Sequence, residues 1–356
     1  MTRQIRIGNL KIGGNAPIVI QSMTKTDTRD AAATVRQIKE LELAGCELIR
    51  VAVKDFQAAS AIKKIKKKIK IPLVADIHFD YRLAIAAIEN GADKIRLNPG
   101  NIHREEQVIE VARAAKKRKI PIRVGVNSGS IRSQVISHKP QATSHRLQVE
   151  NMIKSVIDYI NILERMEFYD IIVSLKASNV LTTIDAYRKF SRLSKYPLHL
   201  GVTAAGPLAT GLVKSSLGIG ILLSEGIGDT IRVSLTGDPV EEVTAAKNIL
   251  QALSLRSFGP EIISCPTCGR CQVDLQKIVK QVEDYITHYT LRITRTKWPK
   301  IAIMGCEVNG PGEAKEADIG IAFGKGTGVL FKKGKIVKRV KEKEVIRELM
   351  KLIAQS

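Results

Sequence analysis

Aromatic residues are scarce in this sequence, 4 % of 356 residues with a single tryptophan. A core so poor in rings has to be packed from Ile, Leu, Val and Ala, as buried parallel strands and their covering helices are. Long apolar runs are also missing. The most apolar stretch, around Leu217 to Leu223, is too short to span a bilayer and contains two glycines. The first ten residues, with Arg3 and Arg6, lack the apolar segment of a signal peptide. These absences predict a cytoplasmic protein with no membrane association, whose thiols stay reduced. Acidic residues are in deficit, 35 against 57 Lys and Arg, giving a formal charge of +22. Nucleic acid is not the expected partner, because neither aromatic stacking platforms nor a base-reading motif accompanies the charge. Lysine runs such as Lys63 to Lys70 and Lys116 to Lys119 read as solvated helix faces. A basic surface does favour anionic metabolites and acidic electron carriers. No G-x-G-x-x-G follows the first strand and no G-x-x-x-x-G-K-[ST] occurs anywhere, which removes the usual dinucleotide and P-loop sites.

What is present is a repeat. Short β-branched runs at Ile18 to Gln21, Leu48 to Val53, Leu73 to Ile77, Lys94 to Leu97, Ile122 to Val126, Ile171 to Leu175, Leu198 to Val202 and Thr230 to Leu235 alternate with amphipathic stretches. Eight such units predict an α/β fold, a (β/α)8 TIM-like barrel over residues 1–256. A Ser-Phe-Gly-Pro stretch opens an expected linker, 257–263, and a small α+β domain is expected over 264–356.

Cysteines number five. In a reduced compartment so few favour metal binding or catalysis over disulfides. Cys46 stands alone between a helix and a strand and reads as structural. Cys265, Cys268 and Cys271 form C-P-T-C-G-R-C, and Cys306 follows in the loop G-C-E-V-N-G-P-G-E. One triple with one distant thiol fits an iron–sulfur cluster better than the paired knuckles of zinc, although zinc accepts four thiolates too. Glu313 lies within reach of the same centre, and a carboxylate is a harder, more exchangeable ligand to iron than a thiolate.

In a barrel the chemistry sits where the strands end. Those ends supply Gln21 and Ser22, Arg50, Asp76 and His78, Arg96 and Asn98, Arg123 and Asn127, Ser174 and Lys176, Thr203, and Arg232 and Ser234. An arginine within an apolar strand is costly unless it meets an anion. Asp76 is the one evident internal partner, so the surplus of converging positive charge predicts a bound polyanion such as a diphosphate.

The segments A-D-I-H-F, I-R-L-N-P-G-N, R-V-G-V-N-S-G-S, L-L-S-E-G-I-G-D-T-I-R-V-S-L, C-P-T-C-G-R and G-C-E-V-N-G-P-G-E-A carry a resemblance over nearly the whole chain. It resembles the bacterial 4-hydroxy-3-methylbut-2-enyl diphosphate synthase family of the non-mevalonate isoprenoid pathway, in its two-domain form. The resemblance implies two-electron reduction of 2-C-methyl-D-erythritol 2,4-cyclodiphosphate, with ring opening and loss of water, through a [4Fe–4S] cluster fed by ferredoxin or flavodoxin. It implies cluster ligands Cys265, Cys268, Cys306 and Glu313. It implies a diphosphate held by Arg50, Arg96, Arg123, Lys176, Thr203, Arg232 and Ser234, with Asp76, His78, Asn98 and Asn127 around it. It also implies a head-to-tail homodimer, in which one subunit's cluster domain covers the other's barrel mouth. Two positions depart from the family pattern. Cys271 stands where a non-cysteine is usual, and is set aside as a ligand. Ala204, in G-V-T-A-A-G, stands where a proton-delivering glutamate is usual; either activity is reduced, or His78 or a bound water substitutes, or the alanine is an introduced change. The alternatives are a nucleic-acid binder with a structural zinc or iron–sulfur domain, which predicts tight, steeply salt-dependent binding, and a phosphate-handling barrel with a structural metal domain, which predicts activity without reductant; a colourless protein with one zinc would favour these two.

Overall fold

The computed structural model describes residues 1–130, 141–290 and 298–355. The chain divides into two compact units, Met1–Arg256 and Ser257–Ser356.

The first unit begins with an antiparallel hairpin, β1 (Ile5–Ile7) and β2 (Leu10–Ile12). Strand and helix then alternate: β3 (Val19–Met23), α1 (Ala31–Ala44), β4 (Leu48–Val53), α2 (Phe56–Lys66), β5 (Leu73–Ile77), α3 (Tyr81–Glu89), β6 (Lys94–Leu97), α4 (Glu105–Arg118), β7 (Ile122–Asn127), α5 (Gln141–Arg165), β8 (Ile171–Lys176), α6 (Val180–Leu193), β9 (His199–Leu200), α7 (Leu208–Ser224), β10 (Thr230–Ile231) and α8 (Pro239–Ala252). The eight parallel strands run β8-β7-β6-β5-β4-β3-β10-β9, and a bridge from Val173 to Leu198 joins the two ends into a barrel. Several helices start on an acidic or amide cap supplied by the preceding loop. Asp30, Asp55, Asp80, Asn179 and Asp238 each accept a hydrogen bond from a backbone N–H two or three residues on.

The last two strands are shorter than the apolar runs suggested. Beyond Leu200 and Ile231 the backbone turns to other partners. Thr203 donates to the Ala177 carbonyl, Thr236 to Gly206, and Leu235 N–H to the Glu242 carboxylate. The N-terminal hairpin lay outside the repeat read from the sequence. Its Ile5, Ile7 and Ile12 pack on Val19, Leu48, Val74 and Ile172, which lie at or near the beginnings of four barrel strands. The hairpin is therefore a plug for the end of the barrel opposite the strand termini.

The second unit carries β11 (Glu261–Ser264), α9 (Leu275–Thr290), β12 (Lys300–Met304), α10 (Gly310–Glu316), β13 (Ile319–Gly324), β14 (Thr327–Lys332), β15 (Lys335–Lys341) and α11 (Val345–Ala354). The sheet order is β11-β12-β13-β14-β15, parallel across the first three strands and antiparallel across the rest. The expected linker at 257–263 is corrected at its far end. Glu261 to Ile263 pair with Lys300 to Ala302 and belong to the sheet, because Ile262 and Ile263 have apolar neighbours to bury against. Strand alternation sorts β12 between two layers. Ile301 and Ile303 face a core shared with Val282, Leu349 and Ile353, while Ala302 and Met304 pack with Ala314 and Ala317 around α10.

No helix among the described residues is long and apolar enough to cross a membrane.

Candidate functional site

Period-two geometry turns alternate residues of each barrel strand inward. Hydrophobic packing fills the first layer, over the hairpin plug. Higher up, the inward positions are Arg50 on β4, Asp76 on β5, Arg96 on β6, Arg123 on β7 and Lys176 on β8, all buried, with half-buried Arg232 just past β10. Asp76 takes Arg96 Nη1 at 3.1 Å on one oxygen and faces Arg50 Nε at 3.6 Å on the other. Arg96 also donates from Nη2 to the Gly125 carbonyl at 3.1 Å. That crossing requires a glycine, since a Cβ at Gly125 would stand 2.9 Å from Arg96 Nε and from Ser174 Oγ. Burial alone would raise the Asp76 pKa, but Arg50, Arg96 and Arg123 bring it down to about 2. Arg50 is pushed down to about 9, chiefly by burial, with Arg232 and Arg96 adding to the effect and Asp76 opposing it. Burial and the neighbouring arginines lower Arg123 strongly, and its Nε and Nη1 meet no protein acceptor. Nε of Arg96 and Nε of Arg232 are in the same condition. Asp76 by itself cannot balance this many cations. An anion with several oxygens would.

Of the remaining strand-end residues, Asn127 closes β7, and His78, Asn98, Thr203 and Ser234 lie beyond the ends of their strands. Asn98 is buried, and its Oδ1 takes the Gly100 N–H at 3.1 Å. Ser130 Oγ lies 2.8 Å from the Asn127 carbonyl and 3.3 Å from Asn98 Oδ1, so the two loops are tied together. His78, Asn127, Thr203 and Ser234 are half-buried. Gln21, Ser22 and Ser174 are buried within the barrel. Ala204 is exposed in a left-handed backbone conformation, φ 49°.

Among the described residues, three buried side chains of Lys, His or Glu were not read from the sequence. Glu242, on α8, faces Arg232 Nη2 at 3.6 Å and Lys25 Nζ at 3.5 Å. Asp76 is therefore not the only internal carboxylate. Lys94 Nζ lies 3.4 Å from Gln21 Oε1, and His199 sits between Lys176 and Thr230. A signal existed for each. Glu242 falls in the apolar helical phase of Pro239, Val243 and Ala246, and Lys94 and His199 occupy inward strand phases.

In the second unit, Cys265 follows β11 and Cys306 follows β12, so two parallel strands end on thiols. Gly305 N–H points at Cys265 Sγ, 3.3 Å away. The backbone N–H groups of Val308 and Asn309, then Gly310, and the charge of Arg270 lower the Cys306 pKa. That is the environment of a thiolate ligand. Gly305 is fixed by contact: a side chain there would strike Cys271 Sγ and lie 3.5 Å from Cys265 Sγ. Cys271 donates to the Val273 carbonyl at 3.3 Å. Cys268 and Glu313 are exposed. Among the described residues, no three His, Cys, Asp or Glu side chains are gathered closely enough to hold a metal ion. The donor set still suits an iron–sulfur group, with soft thiols on one glycine-lined rim and N–H donors aimed at sulfur. Cys46 is different in kind. It is buried, bonded to the Leu48 carbonyl, and burial pushes its thiol up to about 12.

Residues 2–247 match the GcpE TIM-barrel domain and residues 261–355 the GcpE protein C-terminal domain. A relative from Caldanaerobacter subterraneus subsp. tengcongensis is 57 % identical over 353 residues, covering 99 % of this chain and 96 % of its own length. One from Fusobacterium nucleatum is 55 % identical over 354 residues, 99 % and 97 % of the two chains. Both are named 4-hydroxy-3-methylbut-2-en-1-yl diphosphate synthase (flavodoxin). Among solved structures, dihydropteroate synthase from Yersinia pestis aligns with a TM-score of 0.51 at 12 % identity, covering 71 % of this chain and 99 % of its own. The enzyme of the same name from Stenotrophomonas maltophilia gives 0.52 at 15 %, covering 71 % and 98 %. Those likenesses reach the barrel fold alone. The domain matches and the relatives agree along the chain's length: it belongs to the GcpE family.

Proposed function

We propose that the protein converts 2-C-methyl-D-erythritol 2,4-cyclodiphosphate to 4-hydroxy-3-methylbut-2-enyl diphosphate, taking up two electrons and two protons and releasing water. The observation that carries this reading is the ring of buried cations at the strand ends, with more charge than Asp76 and Glu242 can balance. Arg50, Arg96, Arg123, Lys176 and Arg232 grip the diphosphate, each charge-assisted bond contributing roughly 1.5–3 kcal/mol. Asn98, Asn127, Thr203 and Ser234 orient it from the strand ends. Asp76 keeps Arg50 and Arg96 aimed inward. Ala204 carries no proton, so His78, half-buried just beyond β5, is assigned that movement.

Cys265, Cys268 and Cys306 would hold a [4Fe–4S] cluster, with Glu313 as an exchangeable fourth ligand. When bound, the cluster supplies single electrons and a Lewis-acidic iron. Flavodoxin, which the relatives' names carry, is the proposed donor, with ferredoxin as the other acidic carrier. The family resemblance supports a cytoplasmic homodimer whose barrel mouth is completed by the partner subunit.

Anaerobic reconstitution followed by assay with the cyclodiphosphate and reduced flavodoxin tests the proposal. The expected protein is brown, with about four irons per chain, and forms product. Ala204→Glu is expected to turn over faster. A colourless protein holding one zinc, or one indifferent to the cyclodiphosphate, would overturn the assignment.

A further inference from the structure

Below the arginine ring lies a second polar layer, buried in full and used by no step above. His199 on β9 is 0 % exposed, as are Thr230 on β10 and Lys94 on β6. Lys176 Nζ lies 3.2 Å from His199 Nε2, and His199 Nδ1 lies 2.8 Å from Thr230 Oγ1. Tyr187, on α6, donates its hydroxyl to the His199 carbonyl. Two residues on from His199, just past β9, is Gly201, where a Cβ would stand 2.5 Å from Lys176 Nζ and 3.2 Å from its Cε. The missing side chain is thus the space that the lysine fills.

We propose that His199 is a positioning residue for substrate binding: its Nε2 accepts one N–H of the Lys176 ammonium, with the ring anchored on Thr230, and this holds the remaining N–H groups toward the phosphates at the barrel mouth. The inference rests on the diphosphate reading above. An ammonium has donors only, so Nε2 must be the acceptor, and Nδ1–H then donates to Thr230 Oγ1. That tautomer is uncharged. Burial, then the charges of Lys176, Arg123, Lys94 and Arg50, keep the His199 pKa well below its ordinary value, in agreement. Lys176 itself is surrounded by Arg123 on β7, Arg50 on β4, Arg232 beyond β10 and Arg96 on β6, and burial with these charges lowers its pKa well below the ordinary value. A group so depressed loses its proton earlier as pH rises. Removing the His199 acceptor shifts that loss to still lower pH.

The test is calorimetric binding of inorganic pyrophosphate to the full chain, comparing the parent, His199→Leu and His199→Gln between about pH 6.5 and 8.5. His199→Leu should weaken binding about tenfold at pH 8, with the ratio to the parent growing as pH rises. His199→Gln, which restores an acceptor, should recover most of the loss. In turnover, KM for the cyclodiphosphate should rise while kcat at saturation stays within about threefold. Equal binding by parent and His199→Leu at every pH, or equal loss in the Leu and Gln variants, would overturn the positioning role. If the parent itself ignores pyrophosphate, the diphosphate reading fails instead. The role is then read from the nitrogen-15 imidazole shifts of the unsubstituted protein, which need no variant to fold. A bare Nε2 and protonated Nδ1 across this pH range support it, and a protonated Nε2 overturns it.

Discussion

Arg123 is 1 % exposed and two of its nitrogens meet no protein acceptor, so in the free protein it costs stability that only a ligand can return. Function and folding pull against each other at this residue. Arg123→Met should leave the fold as stable or firmer by about 1–2 kcal/mol, read from urea midpoints. It should also raise KM for the cyclodiphosphate by roughly 10- to 100-fold, the worth of one charge-assisted bond. A variant both less stable and unchanged in KM would show that Arg123 is structural. The candidate arginines were legible in the sequence because a cation inside an apolar run is conspicuous. Glu242 was less conspicuous: its helical phase is the buried one, but it stands beside the exposed Glu241 in a helix's first turn, where acids are ordinary.

At the scale of elements, the strands from β4 to β8 were read to within a residue, since each is a short stretch rich in Ile, Leu or Val between polar loops. The short β9 and β10 were overextended. What ends them is long-range: Thr203 bonds to Ala177, and Leu235 to Glu242. No local propensity encodes either. The hairpin of β1 and β2 was missed for the same reason, as two three-residue strands have meaning only against the floor they cover. Ile12 is 0 % exposed in that floor. Ile12→Ala should lower stability by about 2–5 kcal/mol while leaving KM near the parental value, because the hairpin caps the end away from the site. A rise in KM matching the stability loss would mean that the plug also shapes the mouth.

Across the whole molecule, the charge of +22 is far more than the site uses. The surplus should act on encounter with an acidic donor, an effect that salt screens within about 8 Å at physiological strength. Raising sodium chloride from about 50 to 300 mM should cut the flavodoxin-driven rate several-fold and change the dithionite-driven rate much less. Equal sensitivity would place the salt effect on substrate binding. The sequence by itself determined the eight-unit repeat, the division into a large and a small unit, the cationic strand ends and the thiol spacing, because each is written in local periodicity or in residue type. The tertiary structure decided which carboxylates reach those cations, where the last strands stop, what plugs the barrel and which imidazole meets Lys176. Those outcomes depend on contacts between residues distant in the chain, where the energy of one bond is set by what else is buried beside it.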